Sequence, residues 1–216
     1  MDAVMDELPL YWEGFRTTLA LTLVSAAIAL VLGTILGSFR VSPVPTLRGF
    51  GTAYVEIVRN TPLTLVFIFF VFVAPQLGWT PSDFFAPAVV ALSVYTAAFV
   101  CEAIRSGINS VGQGQAEAAR AIGLTFPQTL RLIVLPQSFR TVIPPLINIF
   151  IALTKNSSVA GGFFVAELFG VGEQLANSHP GDIIAVLLGV GVCYLVITIP
   201  AGLLAGYAER KVAFAR

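Results

Sequence analysis

Charged side chains are scarce in this chain. Only 11% of its 216 residues are Asp, Glu, Lys or Arg, where a soluble domain carries about 25%. The few charges cancel to a formal net of zero, which leaves no bulk attraction to nucleic acid. Histidine occurs once, as His179 in a loop beside Pro180, and no enzyme constellation can be assembled around it. The two cysteines, Cys101 and Cys193, both lie in apolar runs and read as reduced packing residues rather than a disulfide or a metal pair. No glycine-rich loop followed by Lys and Ser or Thr is present, so the chain does not cradle ATP phosphates in the usual way. A basic leader is missing too. The N-terminal stretch is acidic, and the first apolar run has no cleavage site of small residues, so it reads as retained rather than as a secretory signal.

What the chain has instead is apolar length. Hydrophobic residues make up 56% of it, and its mean hydropathy is +0.87. A membrane-spanning helix needs about 20 mainly apolar residues, and five segments approach or meet that. They are residues 17–39, 60–78, 84–108, 139–154 and 183–208, the fourth short and holding Pro144 and Pro145. Between the fourth and fifth, residues 156–166 are apolar but too short to span. They are expected to form a re-entrant or interfacial segment, tolerable where protein covers the backbone. The fold class expected is an all-α membrane protein, one domain over 1–216, with a polar loop over 109–137.

The charges orient it. With the N-terminus outside, ten of the twelve Lys and Arg fall on the cytoplasmic side, leaving Arg16 and Lys155 outside. Eight of the twelve acids fall outside: Asp2, Asp6, Glu7, Glu13, Asp83, Glu167, Glu173 and Asp182. The opposite orientation would invert the positive-inside bias. Gly33 with Gly37, and Gly202 with Gly206, are spaced for close helix approach. Thr18, Thr22 and Ser25 form a stripe that reads as an interhelical hydrogen-bonding face. At the cytoplasmic boundary, Glu56 and Arg59 precede the second span, and Glu102 and Arg105 end the third. These four are expected to pair as Arg59 with Glu102 and Glu56 with Arg105, because a lone charge at that depth is costly.

The 109–137 loop is the longest polar interruption. Residues 115–121 are good helix formers, Gly123 stands where such a helix would stop, and Thr125 with Pro127 open a second helical segment. A short helix, a glycine turn and a second short helix are expected to make a compact knob. Glu117-Ala118-Ala119, then Gly123, then Ile133, Leu135 and Pro136 resemble the EAA signature of permease subunits of bacterial ABC importers. An alanine-rich helix alone would say little, but here every spaced position is met, in a loop that the charges independently put in the cytoplasm.

The resemblance extends over most of the chain. Gly14, Thr17-Thr18-Leu19, the run Tyr54 to Leu63, Glu102, Arg105, Gly107 and Lys155-Asn156-Ser157-Ser158 are similar to the polar-amino-acid subgroup. Residues 40–44, 58–64 and 151–158 are similar to actinobacterial glutamate-uptake permeases. The resemblance implies a five-helix permease core in a bacterial cell membrane, surrounded by lipid and paired with a second, paralogous permease. It implies an extracellular substrate-binding protein on one side. On the other it implies a dimer of cytoplasmic ATP-binding subunits, which hold the ATP and Mg2+ and receive the 109–137 loop. No catalytic residue, metal or cofactor is expected in this chain. Residues on the substrate path are expected among Asn148, Lys155, Asn156, Ser157 and Ser158. Asn156 departs from the subgroup, many of whose members carry an acid there. Loss of that charge would suit an anionic substrate, or it is neutral drift at a loop edge. Asn148 either binds substrate or hydrogen-bonds a neighbouring helix.

Two other function classes remain. An ion-coupled secondary carrier often shows inverted repeats; none is visible, and five spans do not halve. A passive membrane anchor needs no polar residues within its spans, and this chain has several.

Overall fold

The computed structural model describes residues 7–213; of the charges tallied above, Asp2, Asp6 and Arg216 lie outside them. Every regular element among these residues is helical. The chain opens with α1 (Leu8–Arg40) and turns into the amphipathic α2 (Pro45–Arg59). Next come α3 (Leu63–Ile68) and α4 (Phe85–Asn109), then α5 (Gln113–Ala121) and α6 (Phe126–Thr129). The chain closes with α7 (Leu135–Asn156), α8 (Leu168–Ser178) and α9 (Ile183–Ala213).

Four helical segments among the described residues are long and apolar enough to cross a membrane: Leu8–Arg40, Phe85–Asn109, Phe126–Phe163 and Ile183–Lys211. A fifth is reached only if Pro45–Arg59 and Leu63–Leu77, bent by 103° at the break between them, count as one broken span. The second expected span, 60–78, is therefore corrected. Its first residues are the kink itself, because Pro62 is extended (φ −58°, ψ 136°) and disfavours a helical residue before it. The remaining Leu63–Leu77 makes a short rod.

Two prolines shape the rods in the same way. Pro75 and Pro136 each follow a wide π turn, Phe69–Val73 and Leu130–Val134. A proline ring in an α-helix collides with the carbonyl four residues earlier, here Val71 and Leu132. The extra residue in each wide turn accommodates that collision. The expectation of two short helices in the 109–137 loop is corrected accordingly. The stretch after Gly123 is no separate helix, because α6 passes through the π turn into α7 and on to Phe163 as one apolar run. Residues 157–163, expected within a re-entrant or interfacial segment over 156–166, continue α7 as a 3-10 helix.

The buried residues form three patches along the bundle. Leu36, Val55, Ala98 and Cys101 join α1, α2 and α4 at one end. Leu21, Phe67, Leu92, Leu153 and Ala160 fill the middle. Tyr11, Leu168, Val171, Leu175 and Val186 join α1, α8 and α9 at the other end. In lipid, apolar burial alone does not drive helices together, so close packing and hydrogen bonds must. Gly33 supplies the closest approach: a Cβ there would stand 2.6 Å from the Val100 side chain and 2.9 Å from the Ala97 carbonyl oxygen. Gly202 and Gly206 have open space around them, so that pair packs against nothing among the described residues. Of the Thr18, Thr22 and Ser25 stripe, Ser25 lies 3.4 Å from the Val89 carbonyl across the α1–α4 seam and Thr18 also bonds another helix, while the buried Thr22 hydroxyl meets no partner among the described residues.

Candidate functional site

Three polar places stand out against this apolar body. The first is the turn after α5. Gly123 has φ +86°, a conformation that strains any residue with a Cβ. Its N–H donates to the Arg120 carbonyl at 3.0 Å, and the Leu124 N–H donates to the Ala119 carbonyl at 3.1 Å. These two bonds are the Schellman pattern that satisfies the last carbonyls of a helix. Two residues later a capping box starts α6, the Thr125 N–H donating to Gln128 Oε1 at 2.9 Å. Both helix ends are thus closed by local bonds, and the turn is held rigidly. Glu117 and Ala118 face solvent, Ala119 is buried, and Ile133 and Leu135 are half-buried on the rod with Pro136 exposed. On either side of Gly123 two large apolar side chains stand out, Ile122 at 79% and Phe126 at 76% exposed. Sequence reasoning passed over both. Their signal was apolarity at positions flanking a helix stop in an otherwise polar loop.

The second place is the charge cluster at the same end of the bundle. Glu102 is the single acid in it. Arg40 and Arg105 both donate to its carboxylate, one to each oxygen, and Arg59 stands 3.8 Å from Oε2. The expected Arg59–Glu102 contact is present, though it is the longest of the three. The expected Glu56–Arg105 pair is corrected: Arg105 sits three residues after Glu102 on the same helix face and takes that acid instead. Glu56 is exposed and accepts from Asn60 Nδ2 at 3.4 Å. Arg40 was missed because it ends α1, 62 residues away. Its signal was a lone cation closing an apolar span.

Beside Arg59 a cleft of about 290 Å³ opens between α2, α4 and α7. The Arg59 guanidinium lies over the Phe99 ring, 5.4 Å from its centroid. Thr141, Pro145 and Ile149 of α7 form the opposite wall.

The third place lies along α7. Asn148 and Lys155 are both exposed and share a helix face with Pro145 and Ala152, at spacings of three, seven and ten residues. Asn148 meets no hydrogen-bond partner among the described residues. Asn156 is half-buried. Ser157 and Ser158 donate to the Thr154 and Lys155 carbonyls at 2.7 Å each, so their hydroxyl protons are already engaged. The structure therefore leaves Asn148 and Lys155 on one open stripe and ties the two serines to their own helix.

At the opposite end of the bundle sits an acid that the charge tally had simply placed outside. Glu167 has no exposed surface. It caps α8, Oε1 accepting from the Gly170 N–H at 2.8 Å. Its Oε2 accepts from Tyr194 Oη at 2.6 Å and from Thr18 Oγ1 at 3.3 Å. Thr18 Oγ1 in turn accepts from the Leu168 N–H at 3.1 Å. Burial pushes the Glu167 carboxyl above the ordinary glutamate range, while the Tyr194 hydroxyl, the Phe169 and Gly170 amides and Thr18 pull it part of the way back.

Comparisons with known proteins cover this whole arrangement. Residues 29–214 match the family described as binding-protein-dependent transport system inner membrane component. Over 96% of its length the chain is 40% identical to a probable glutamine ABC transporter permease protein of Bacillus subtilis, covering 95% of it. It is 43% identical to a glutamate transport system permease protein of Corynebacterium efficiens, covering 95% of this chain and 93% of that one. Among solved structures, an amino acid ABC transporter crystallised with histidines superposes with a TM-score of 0.89 at 27% identity, with 96% of each chain covered.

Proposed function

The chain belongs to the family of binding-protein-dependent transport system inner membrane components, and from that premise we propose that it is the permease subunit of an ATP-driven importer whose substrate is glutamate. The observation that carries the importer reading is the turn around Gly123. It is a rigid, capped, polar element displaying two apolar side chains at the end of an apolar bundle. A surface of that kind suits docking into a groove on a soluble partner. The partner is a dimer of ATP-binding subunits, which hold the ATP and Mg2+. The bent pair Pro45–Leu77 counts as the second of five spans, with the N-terminus outside and the C-terminus in the cytoplasm, as the distribution of basic residues supports.

A second, paralogous permease completes the membrane unit, and an extracellular binding protein delivers the substrate. The open stripe of Asn148 and Lys155 on α7 lines the path. ATP binds the docked subunits better in one state of the assembly than in the other, and that difference in affinity moves the permease between inward- and outward-open forms. The glutamate assignment is supported by a relative that carries that name and by Asn156, which removes a negative charge from the outer end of the path.

The test is ATPase stimulation of the reconstituted assembly by binding protein loaded with one amino acid at a time. Glutamate is expected to stimulate most. Preference for glutamine would reassign the substrate, and no response to any amino acid would remove the importer reading. Docking is tested separately by Gly123→Val. The open space around Gly123 leaves only the backbone cost, about 1–2 kcal/mol, so the chain should still insert. Transport should fall because the turn is misplaced; unchanged transport and unchanged ATPase association would exclude this role.

A further inference from the structure

The charge cluster at the cytoplasmic end does not balance. Three guanidinium groups share one carboxylate, and Glu56, exposed on α2, forms no ion pair with any of them among the described residues. At a membrane boundary, where water is partly excluded, an excess of two positive charges calls for a counter-anion. The three arginines are not equally committed. Arg40 is nearly buried and bonded to Glu102, and Arg105 holds the other carboxylate oxygen through both Nε and Nη2. Arg59 is 42% exposed and meets Glu102 only at 3.8 Å. Phe99 lies against one face of its guanidinium, and Arg59, only loosely held by Glu102, lines the cleft.

Arg59 and Glu102 both line the cleft, and the Glu102 carboxylate is already taken by Arg40 and Arg105. The cleft volume of about 290 Å³ exceeds that of a phosphate or of a small carboxylic acid. Ser106, exposed on its α4 wall, has a hydroxyl with no hydrogen-bond partner among the described residues. Thr141 and Pro145 stand across from it. Pro145 is three residues from Asn148 on α7, so the cleft continues the open stripe toward the cytoplasm.

We propose that this cleft is an anion-binding site, in which the Arg59 guanidinium and the Ser106 hydroxyl take the oxygens of a carboxylate or phosphate group. A guanidinium edge matches either group with two parallel hydrogen bonds. The anion is the carboxylate of an acidic amino acid leaving the path or the phosphate of a lipid headgroup. The amino-acid source rests on the function proposed above; the lipid source does not.

The experiment uses the assembled transporter in nanodiscs of phosphatidylcholine, without binding protein, at constant ionic strength in chloride. The midpoint of thermal unfolding is followed against inorganic phosphate, against glutamate, and against the fraction of phosphatidylglycerol in the disc, since a ligand of the folded state raises it. Phosphate is the diagnostic probe, because a site built for an amino acid's ammonium group would not take it. A saturable rise is expected, with apparent affinity weakened about tenfold or more in Arg59→Gln. Arg59→Lys, which keeps the charge and loses the fork, should lie in between, and it stands in if Arg59→Gln fails to assemble. Ser106→Ala should weaken binding less than either. A response to glutamate and phosphate identifies a solute, and one confined to phosphatidylglycerol identifies the lipid; both uphold the site. Equal responses in the wild type and Arg59→Gln, or no response to any of the three anions, overturn it. If the binding-protein assay fails while the Arg59-dependent response persists, the transport reading falls and the site stands.

Discussion

Glu102 and Glu167 are the same residue under opposite treatments. They sit near the two ends of α1: Glu102 bonds Arg40 at its last residue, and Glu167 accepts from Thr18 near its start. Thr18 and Arg40 are about 33 Å apart along the helix axis, close to the thickness of a bilayer's hydrocarbon core. Glu102 keeps a quarter of its side-chain exposure and collects three guanidinium groups. Glu167 keeps none, and among the described residues no cation pairs with it; hydroxyls and amides supply all its bonds. A buried acid can be met by opposite charge or by giving up its own charge. This chain meets Glu102 with opposite charge at one end and Glu167 with neutral donors at the other. Ion pairing lets Glu102 tie α1, α2 and α4 together as a charged hub. Hydrogen bonding from neutral donors lets Glu167 tie α1, α8 and α9 together.

The contrast is broken most directly at Glu102. Glu102→Ala strands Arg40, which is nearly buried, and should cost about 2–3 kcal/mol, less than a fully buried pair because Glu102 is partly solvated. Detergent stability of the assembly measures it. Double-mutant cycles of Glu102 with Arg40 and with Arg59 should give a larger coupling for Arg40. Additive losses in both cycles would mean that no hub exists. At the other end, Thr18→Val removes a donor to Glu167 and the acceptor for the Leu168 N–H. Its cost should be about 1–2 kcal/mol, read from the unfolding midpoint, and no cost would show that the two bonds add nothing net to stability.

The smallest effect and the most specific is Glu167→Gln. The folded-state pKa of Glu167 is raised above its ordinary value, so the folded chain binds this proton more tightly than the unfolded one. Its contribution is complete below the ordinary glutamate range and is lost as pH rises through the raised value. Glutamine does not titrate. The stability of Glu167→Gln relative to wild type should therefore improve as pH rises from the ordinary glutamate range through the raised value. A difference that stays flat across that range would put Glu167 in the same class as Glu102.

The two acids also differ in how far the sequence exposes them. Glu102 lies three residues from Arg105 near the end of an apolar run, so a boundary cluster is legible, although its third arginine is not. The network around Glu167 joins residues 149 and 27 positions away, and nothing local distinguishes it from a loop acid. The long spans are legible for a simple reason: 17–39 and 183–208 hold no charge at all. The second span misled because Asn60 to Pro62 are polar enough to end a span yet belong to the kink. The fourth misled in the opposite sense. Prolines at 136, 144 and 145 argue for breaks, but a wide turn before Pro136 and an apolar surround let one helix continue through all of them.

That continuity has a mechanical side. Phe126 to Phe163 is 38 residues of unbroken helix, a beam roughly 57 Å long at the ordinary rise per residue. One tip adjoins the Gly123 turn, and the other runs to the 3-10 turn three residues short of the Glu167 cap. A beam pivoting near its middle by about 5° would swing each tip by roughly 2.5 Å, in opposite directions. If the run moves as one body, a push on Phe126 is a displacement at Phe163, with no relay of separate parts.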